Sequence, residues 1–300
     1  MYTSRLALIQ VLAAVVVIGS GAMWPAAGPL PFFYDLYTFR GPAGTTTIVS
    51  SVAVEAGRLT TQDVGGRSRY RFSASLVLAD TALKTVSNTH DTVYVDVEHP
   101  LPDQHLLYTH VEVLAAASTS TQQRVILIDA VTPGVGQLYT EPYPIPDYSG
   151  SALMLSDIVL GSPGAETGWE RGDLILGILP STRFPPDVFD IYYEIYNMPA
   201  GHVYLTEIAI ERADPHGAAE GELIRLRFSG QSGAGRDGQL SELRQVDASL
   251  TRGSYRLTVT VTDRVTGQTA TRSRSFVVQG SARDATRVKA YRSRYSGSVR

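Results

Sequence analysis

Gly253-Ser254-Tyr255-Arg256-Leu257-Thr258-Val259-Thr260-Val261-Thr262-Asp263 is followed, after a polar connection through Thr266-Gly267, by a second run ending Ser275-Phe276-Val277-Val278. Tyr255, Leu257, Val259 and Val261 alternate with Arg256, Thr258, Thr260 and Thr262, so one side of the run is apolar and the other wet. Strict alternation over this length predicts a half-buried strand, and two such runs across a short turn predict an antiparallel hairpin. A tyrosine just after the glycine that opens the strand suits the corner of a β-sandwich. The same reading extends outward: Val93, Val95 and Val97 oppose Tyr94, Asp96 and Glu98, while Ile224, Leu226 and Phe228 alternate with Arg225 and Arg227. Strand-like runs recur along the chain with turn residues between them, as at Gly65-Gly66, His99-Pro100 and Pro133-Gly134. The fold class expected is therefore all-β, as two tandem immunoglobulin-like antiparallel β-sandwich domains.

Chain organisation follows from composition. Arg5 precedes the apolar run Leu6 to Ile18, and Ser20 and Ala22 stand where a signal peptidase expects small residues, so residues 1–22 read as a signal peptide or membrane anchor. In the anchored form Trp24 would sit at the far interface, with Arg5 on the cytoplasmic side. Residues 23–43 read as a Pro/Gly linker, 44–161 as the first sandwich, 173–280 as the second, and 281–300 as a basic, disordered tail. Cysteine is absent, which removes disulfides, thiolate metal sites and cysteine nucleophiles. Both domains must then be held by their cores. A formal net charge of -3 excludes a globally basic nucleic-acid binder. The expected address is periplasmic, with possible anchoring in the inner membrane through the N-terminal segment.

Three runs carry a family resemblance: Leu153 to Leu160, Ile191 to Asn197, and Gly253 to Asp263. In order and spacing they resemble the C-terminal β-modules of bacterial GWxTD-domain proteins, over roughly Thr46 to Val278. The nearest string to the family's own motif is Gly168-Trp169-Glu170-Arg171-Gly172, which lacks the Thr-Asp. The resemblance implies a β-sandwich fold and export, and it transfers no catalytic residue.

Motifs that would declare a reaction are weak. Gly233-Ala234-Gly235-Arg236-Asp237-Gly238 satisfies GxGxxG but lacks the parallel strand–helix setting that a dinucleotide needs. Arg171-Gly172-Asp173 spells an adhesion tripeptide and reads better as a turn. His90, His99, His105 and His110 lie in one stretch with Asp91, Asp96, Glu98 and Glu112, and His110 and Glu112 share a strand face. Their spacing fits no common zinc or calcium pattern, so no metal and no cofactor is expected. The chain is read as non-catalytic: a scaffold or interaction protein of the bacterial cell envelope whose partner is a membrane-associated protein. Expected contacts are Trp24, the aromatics Phe32, Phe33 and Tyr34, the rings of the stiff Tyr139-to-Tyr148 segment (Tyr139, Tyr143, Tyr148), and Arg292 and Arg294 of the tail, which also suit an anionic membrane surface. A carbohydrate- or peptide-binding accessory module is the alternative, and a hydrolase with an unrecognised site is third.

Overall fold

The stretch that opened the sequence reading forms a hairpin in the computed structural model of the chain, which describes residues 29–132, 134–139, 142–184, 188–214, 219–233, 238–248, 250–279 and 291–292. Gly253–Asp263 pairs antiparallel with Thr269–Val278, with Tyr255 opposite Phe276 and Val259 opposite Arg272. Tyr255, Leu257, Val259 and Val261 are buried, and on the wet face hydroxyl pairs bridge Thr258 to Ser273, Thr260 to Thr271 and Thr262 to Thr269. Asp263 closes the turn by accepting from the Val265 amide at 2.9 Å and the Thr266 hydroxyl at 2.6 Å. The Tyr255 hydroxyl donates to the Thr251 carbonyl at 2.6 Å and pins the chain as it enters the strand. Tyr255→Phe leaves that carbonyl without its donor, and the expected loss is about 1–2 kcal/mol, read from a denaturant midpoint.

The remaining strands are named in chain order. The first half holds β1 (Phe33–Arg40), β2 (Thr46–Glu55), β3 (Thr61–Val64), β4 (Arg67–Ala79), β5 (Thr85–Val97), β6 (Leu106–Ala115), β7 (Ser118–Asp129), β8 (Gly134–Tyr139) and β9 (Tyr143–Ile145). The second half holds β10 (Met154–Leu155), β11 (Val159–Ser162), β12 (Trp169–Arg171), β13 (Leu174–Ile178), β14 (Val188–Tyr196), β15 (Val203–Ala213), β16 (Ala219–Gln231), β17 (Leu240–Asp247), β18 (Gly253–Asp263) and β19 (Thr269–Val278). A two-residue strand, β20 (Tyr291–Arg292), returns to pair with β5. Among the described residues no helix is long and apolar enough to cross a membrane.

The two halves share a strand order in their main sheets. One sheet of the first runs β1-β2-β6 and the other β5-β4-β7-β8; in the second, β10 and β11 pair β14, which pairs β17, opposite a sheet running β16-β15-β18-β19. All these ladders are antiparallel, and each pair of sheets encloses an aliphatic and aromatic core. The hairpin β12–β13 is added to the outer side of β11 and has no counterpart in the first half.

Two boundaries differ from the sequence expectation. Residues 23–43 were expected as a linker, yet Phe33–Arg40 is a strand paired along its full length with β2. Gly161 to Gly172, expected as the boundary between domains, instead holds the end of β11 and all of β12. Both corrections have one cause: these segments form a seam that fuses the halves side by side. Tyr37, Phe39 and Val49 of the first half pack with Val159, Trp169, Leu176, Ile178 and Tyr192 of the second. β1 is therefore covered on both faces, because Tyr34 and Leu36 pack against the first sandwich core.

Candidate interaction surface

An edge strand presents unpaired amides and carbonyls, and β1 is an edge strand. The second half satisfies those groups with side chains at every second residue. Arg274 donates to the Leu36 carbonyl at 3.2 Å, Asp157 accepts from the Thr38 amide at 2.7 Å, and Arg171 donates to the Arg40 carbonyl at 2.9 Å. The Tyr196 hydroxyl accepts from the Arg40 amide at 2.8 Å. Asp157 reaches β1 where the pairing slips by one residue between Leu155↔Ile195 and Val159↔Tyr192, a bulge flanked by Ser156, bonded to Glu194, and Ile158, in the second core.

The seam's charges are paired as well as buried. Asp35 receives Arg274 and the Ser181 amide (2.7 Å) and hydroxyl (2.5 Å). Asp157 pairs with Arg272, and Glu55 with Arg183. Glu194, fully buried, accepts from Arg171 at 2.7 and 3.0 Å and from the hydroxyls of Tyr192 and Tyr196, both at 2.6 Å. Burial, then the Glu194 charge, holds both tyrosines well above the usual phenol range, so they remain neutral donors. For Arg171, burial favours the neutral form, but its bond to Glu194 and that carboxylate's charge outweigh burial and keep it cationic. Arg171 of the adhesion-like tripeptide is thus committed internally, and Trp169 beside it donates to Glu112 across the seam.

Several residues expected to meet a partner are used inside the chain. Tyr148 is only 4% exposed, shares a hydrogen bond with Thr38 at 2.9 Å and packs edge-on against Tyr196. Tyr143 is half-buried and donates weakly to Asp157 at 3.4 Å. Burial and then the Asp157 charge push both hydroxyls up, that of Tyr148 to about 12. Tyr148 is thus buried where it was expected to be displayed, while Tyr143 is half-buried beside Asp157. Phe32, Phe33 and Tyr34 are half-buried; Phe32 and Tyr34 pack against the first core, and Arg183 stacks over Phe33. Trp24 and Arg294 lie outside the described residues, as do residues 1–22, most of the 281–300 tail and the centre of the GxGxxG string; for Tyr139 and Arg292 the backbone alone is described.

The histidine–acid stretch is partly assembled. Thr89, His90, Asp91, His110, Val111 and Glu112 line an open cleft of about 430 Å³, joined by Glu170 from β12. Among the described residues no three of its side chains converge in a way that would hold a metal ion. Glu112 is already engaged by Trp169.

A feature the sequence reading missed stands at the other end of β5. The β4–β5 hairpin turns through Asp80 to Lys84, where Asp80 Oδ1 accepts from the amides of Ala82 and Lys84, both at 2.9 Å. The Leu83 amide donates to the Asp80 carbonyl at 2.9 Å. This wiring holds Leu83 at φ +62°, a left-handed conformation that costs a branched residue on the order of 1 kcal/mol. Leu83 is 74% exposed, Val86 57% and Leu114 49%. Val86 and Leu114 border a groove of about 490 Å³ whose other lining includes Ala116, Ser118, Thr121 and Ile145. The arrangement is a stiff turn carrying an apolar tip above an apolar-edged groove, and burying its open area against a partner is worth several kcal/mol.

No family model matches the chain, and no curated protein sequence matches it. Solved structures similar to it include red sea bream transglutaminase, at 10% identity, covering 82% of this chain and 31% of that one with a TM-score of 0.25. A calcium-binding mutant of Bacteroides uniformis β-glucuronidase 2 has 13% identity, covers 82% of this chain and 28% of that one, and has a TM-score of 0.27. Bacteroides uniformis β-glucuronidase 2 covalently bound to cyclophellitol-6-carboxylate aziridine has 12% identity, 78% and 26% coverage and a TM-score of 0.27. The chain spans less than a third of the length of these structures, and at such TM-scores they carry no argument about fold or activity.

Proposed function

We propose that the chain is a non-catalytic interaction scaffold of the bacterial cell envelope, exported or tethered through its N-terminal apolar segment. It is built from two immunoglobulin-type sandwiches fused into one rigid body. The repeated strand order and the Tyr255–Thr251 corner bond support the immunoglobulin-type reading. The observation that carries the function is the Asp80–Lys84 turn, which keeps an exposed Leu83 in a strained conformation. Strain at an exposed apolar residue opposes both stability and solubility, so its retention favours a role in contact with a protein partner.

Leu83→Asn separates stability from binding. Asparagine tolerates the left-handed region, so the variant is expected to be more stable by roughly 0.5–1 kcal/mol. Removing an anchor at the centre of a contact costs about 2 kcal/mol, or roughly 30-fold in affinity. The full chain, mixed with a mild detergent extract of envelope membranes, should recover a stoichiometric membrane protein that the stabilised variant no longer retains. Equal recovery by both proteins, or a bare monomer from both, would sink the proposal.

A further inference from the structure

Three sheet edges in this chain are covered by backbone or side chains. β1 is closed by the seam; β8 is met by Leu30, whose amide donates to the Val135 carbonyl; and β19 is met by residues 181–184, through the Val277 amide to Ser181 and the Phe184 amide to Val277. β5 is different. It is the outer strand of its sheet and spans Thr85–Val97; the Ser87 hydroxyl donates to the Leu114 carbonyl near its start, and among the described residues the only strand paired to its outer edge is β20, where Tyr291 pairs with Tyr94 and Arg292 with Val93. A long, uncovered edge invites pairing with any extended segment.

The register of that short pairing, carried outward, sets opposite charges against each other on one face of β5. On one face Lys289 comes opposite Asp96 and Arg287 opposite Glu98, on the side where Tyr94 faces Tyr291. On the other face Arg292 lies opposite Val93, and Ala290 comes opposite Val95 and Val288 opposite Val97, all three valines being buried. Beyond β20, Arg294 comes opposite Asp91. A shift of one residue in either direction would lose the opposition of Lys289 to Asp96 and of Arg287 to Glu98. The acids facing this edge are shared with β4, since Asp96 already pairs with Arg69 at 2.6 Å, and Arg71 stacks over Tyr94. Cross-strand opposite charges and apolar pairs each add roughly 0.2–1 kcal/mol, so several in one register suffice to select it.

We propose that the β5 edge is a strand-accepting site for an extended basic segment, and that residues 287–294 of the chain's own tail are its occupant. The tail adds as a strand in the register set by β20, covers the edge, and is held there by lysine and arginine opposite Asp96, Glu98 and Asp91. This goes beyond the scaffold reading and does not depend on it, because the tip and the β5 edge are separate surfaces.

Hydrogen exchange on the full chain tests it. Every second amide of β5 between Asp91 and Val97 should be protected, and protection should fall as salt is raised. Arg287→Glu with Lys289→Glu should lower that protection at least tenfold. A synthetic peptide of residues 281–300 added to this variant should restore it. Glu98→Arg alone should weaken protection, and combining it with Arg287→Glu should recover it. The proposal is overturned if the charge-reversed tail leaves exchange unchanged. It is also overturned if protection grows with protein concentration alongside dimer formation, which would assign the strand to a second copy. Binding of the tail to anionic vesicles from a β5 edge that is already unprotected would overturn it too.

Discussion

Glu194→Ala is expected to lower the unfolding free energy by about 3–5 kcal/mol, a large share of the margin on which a domain folds. The carboxylate is fully buried and takes two bonds from Arg171 and one each from Tyr192 and Tyr196. Its removal leaves a partly buried guanidinium and two buried phenol hydroxyls without this acceptor, and that loss, more than the Coulombic attraction itself, sets the size of the effect. The pair can be separated from its desolvation by a cycle. Arg171→Met alone strands the Glu194 charge, whereas Glu194→Met with Arg171→Met removes both charges and fills similar volume. The double variant should therefore be less destabilised than the sum of the two single ones, with a coupling of roughly 0.5–3 kcal/mol. Denaturant titration followed by tryptophan fluorescence reports it, because Trp169 packs against Tyr192. Additive single effects would mean that Arg171 and Glu194 do not act as a unit.

What could be read from the sequence divides along a physical line. Strands such as β18 and the second half of β5 are wet on one face and buried on the other, and that asymmetry writes a period of two into the residues. β1 has no such signature, because Tyr37 and Phe39 enter the seam while Tyr34 and Leu36 enter the first core. Apolar residues on both faces, next to Pro29 and Pro31, therefore read as linker. The seam's ion pairs join residues as distant as Asp35 and Arg274, and no local pattern announces a pair formed only when two sandwiches dock. Gly161 to Gly172 looked like a boundary because glycines usually mark loops. At Gly168 the glycine serves close packing instead, since a Cβ there would lie 2.1 Å from the Leu176 carbonyl oxygen. The tip was hidden for the opposite reason: Asp80-Thr81-Ala82-Leu83-Lys84 contains neither glycine nor asparagine, so nothing marked a residue at positive φ.

Trp169→Ala is expected to cost about 3–5 kcal/mol and to spend it unevenly across the molecule. The indole touches both halves: its ring packs on Phe39 at 4.8 Å and on Tyr192 at 5.8 Å, and its N–H donates to Glu112. Because it belongs to the seam cluster and to neither sandwich core, its loss should open the seam before it melts either half. The readout is hydrogen exchange at the outward amides of β1. Thr38 and Arg40 donate to Asp157 and Tyr196, side chains that the second half must hold in place, so these amides should exchange at least tenfold faster. The β15–β18 ladder, whose core lacks Trp169, should keep its protection. Trp169→Phe retains the ring packing and loses only the bond to Glu112, so it should give a smaller change at the same two amides. Uniform loss of protection throughout the chain would show that the two sandwiches unfold as one cooperative unit. Loss confined to β1 makes the seam the weakest joint, and there the charged residues, which must be well aligned to offset their own desolvation, depend on a single aromatic wedge to stay so.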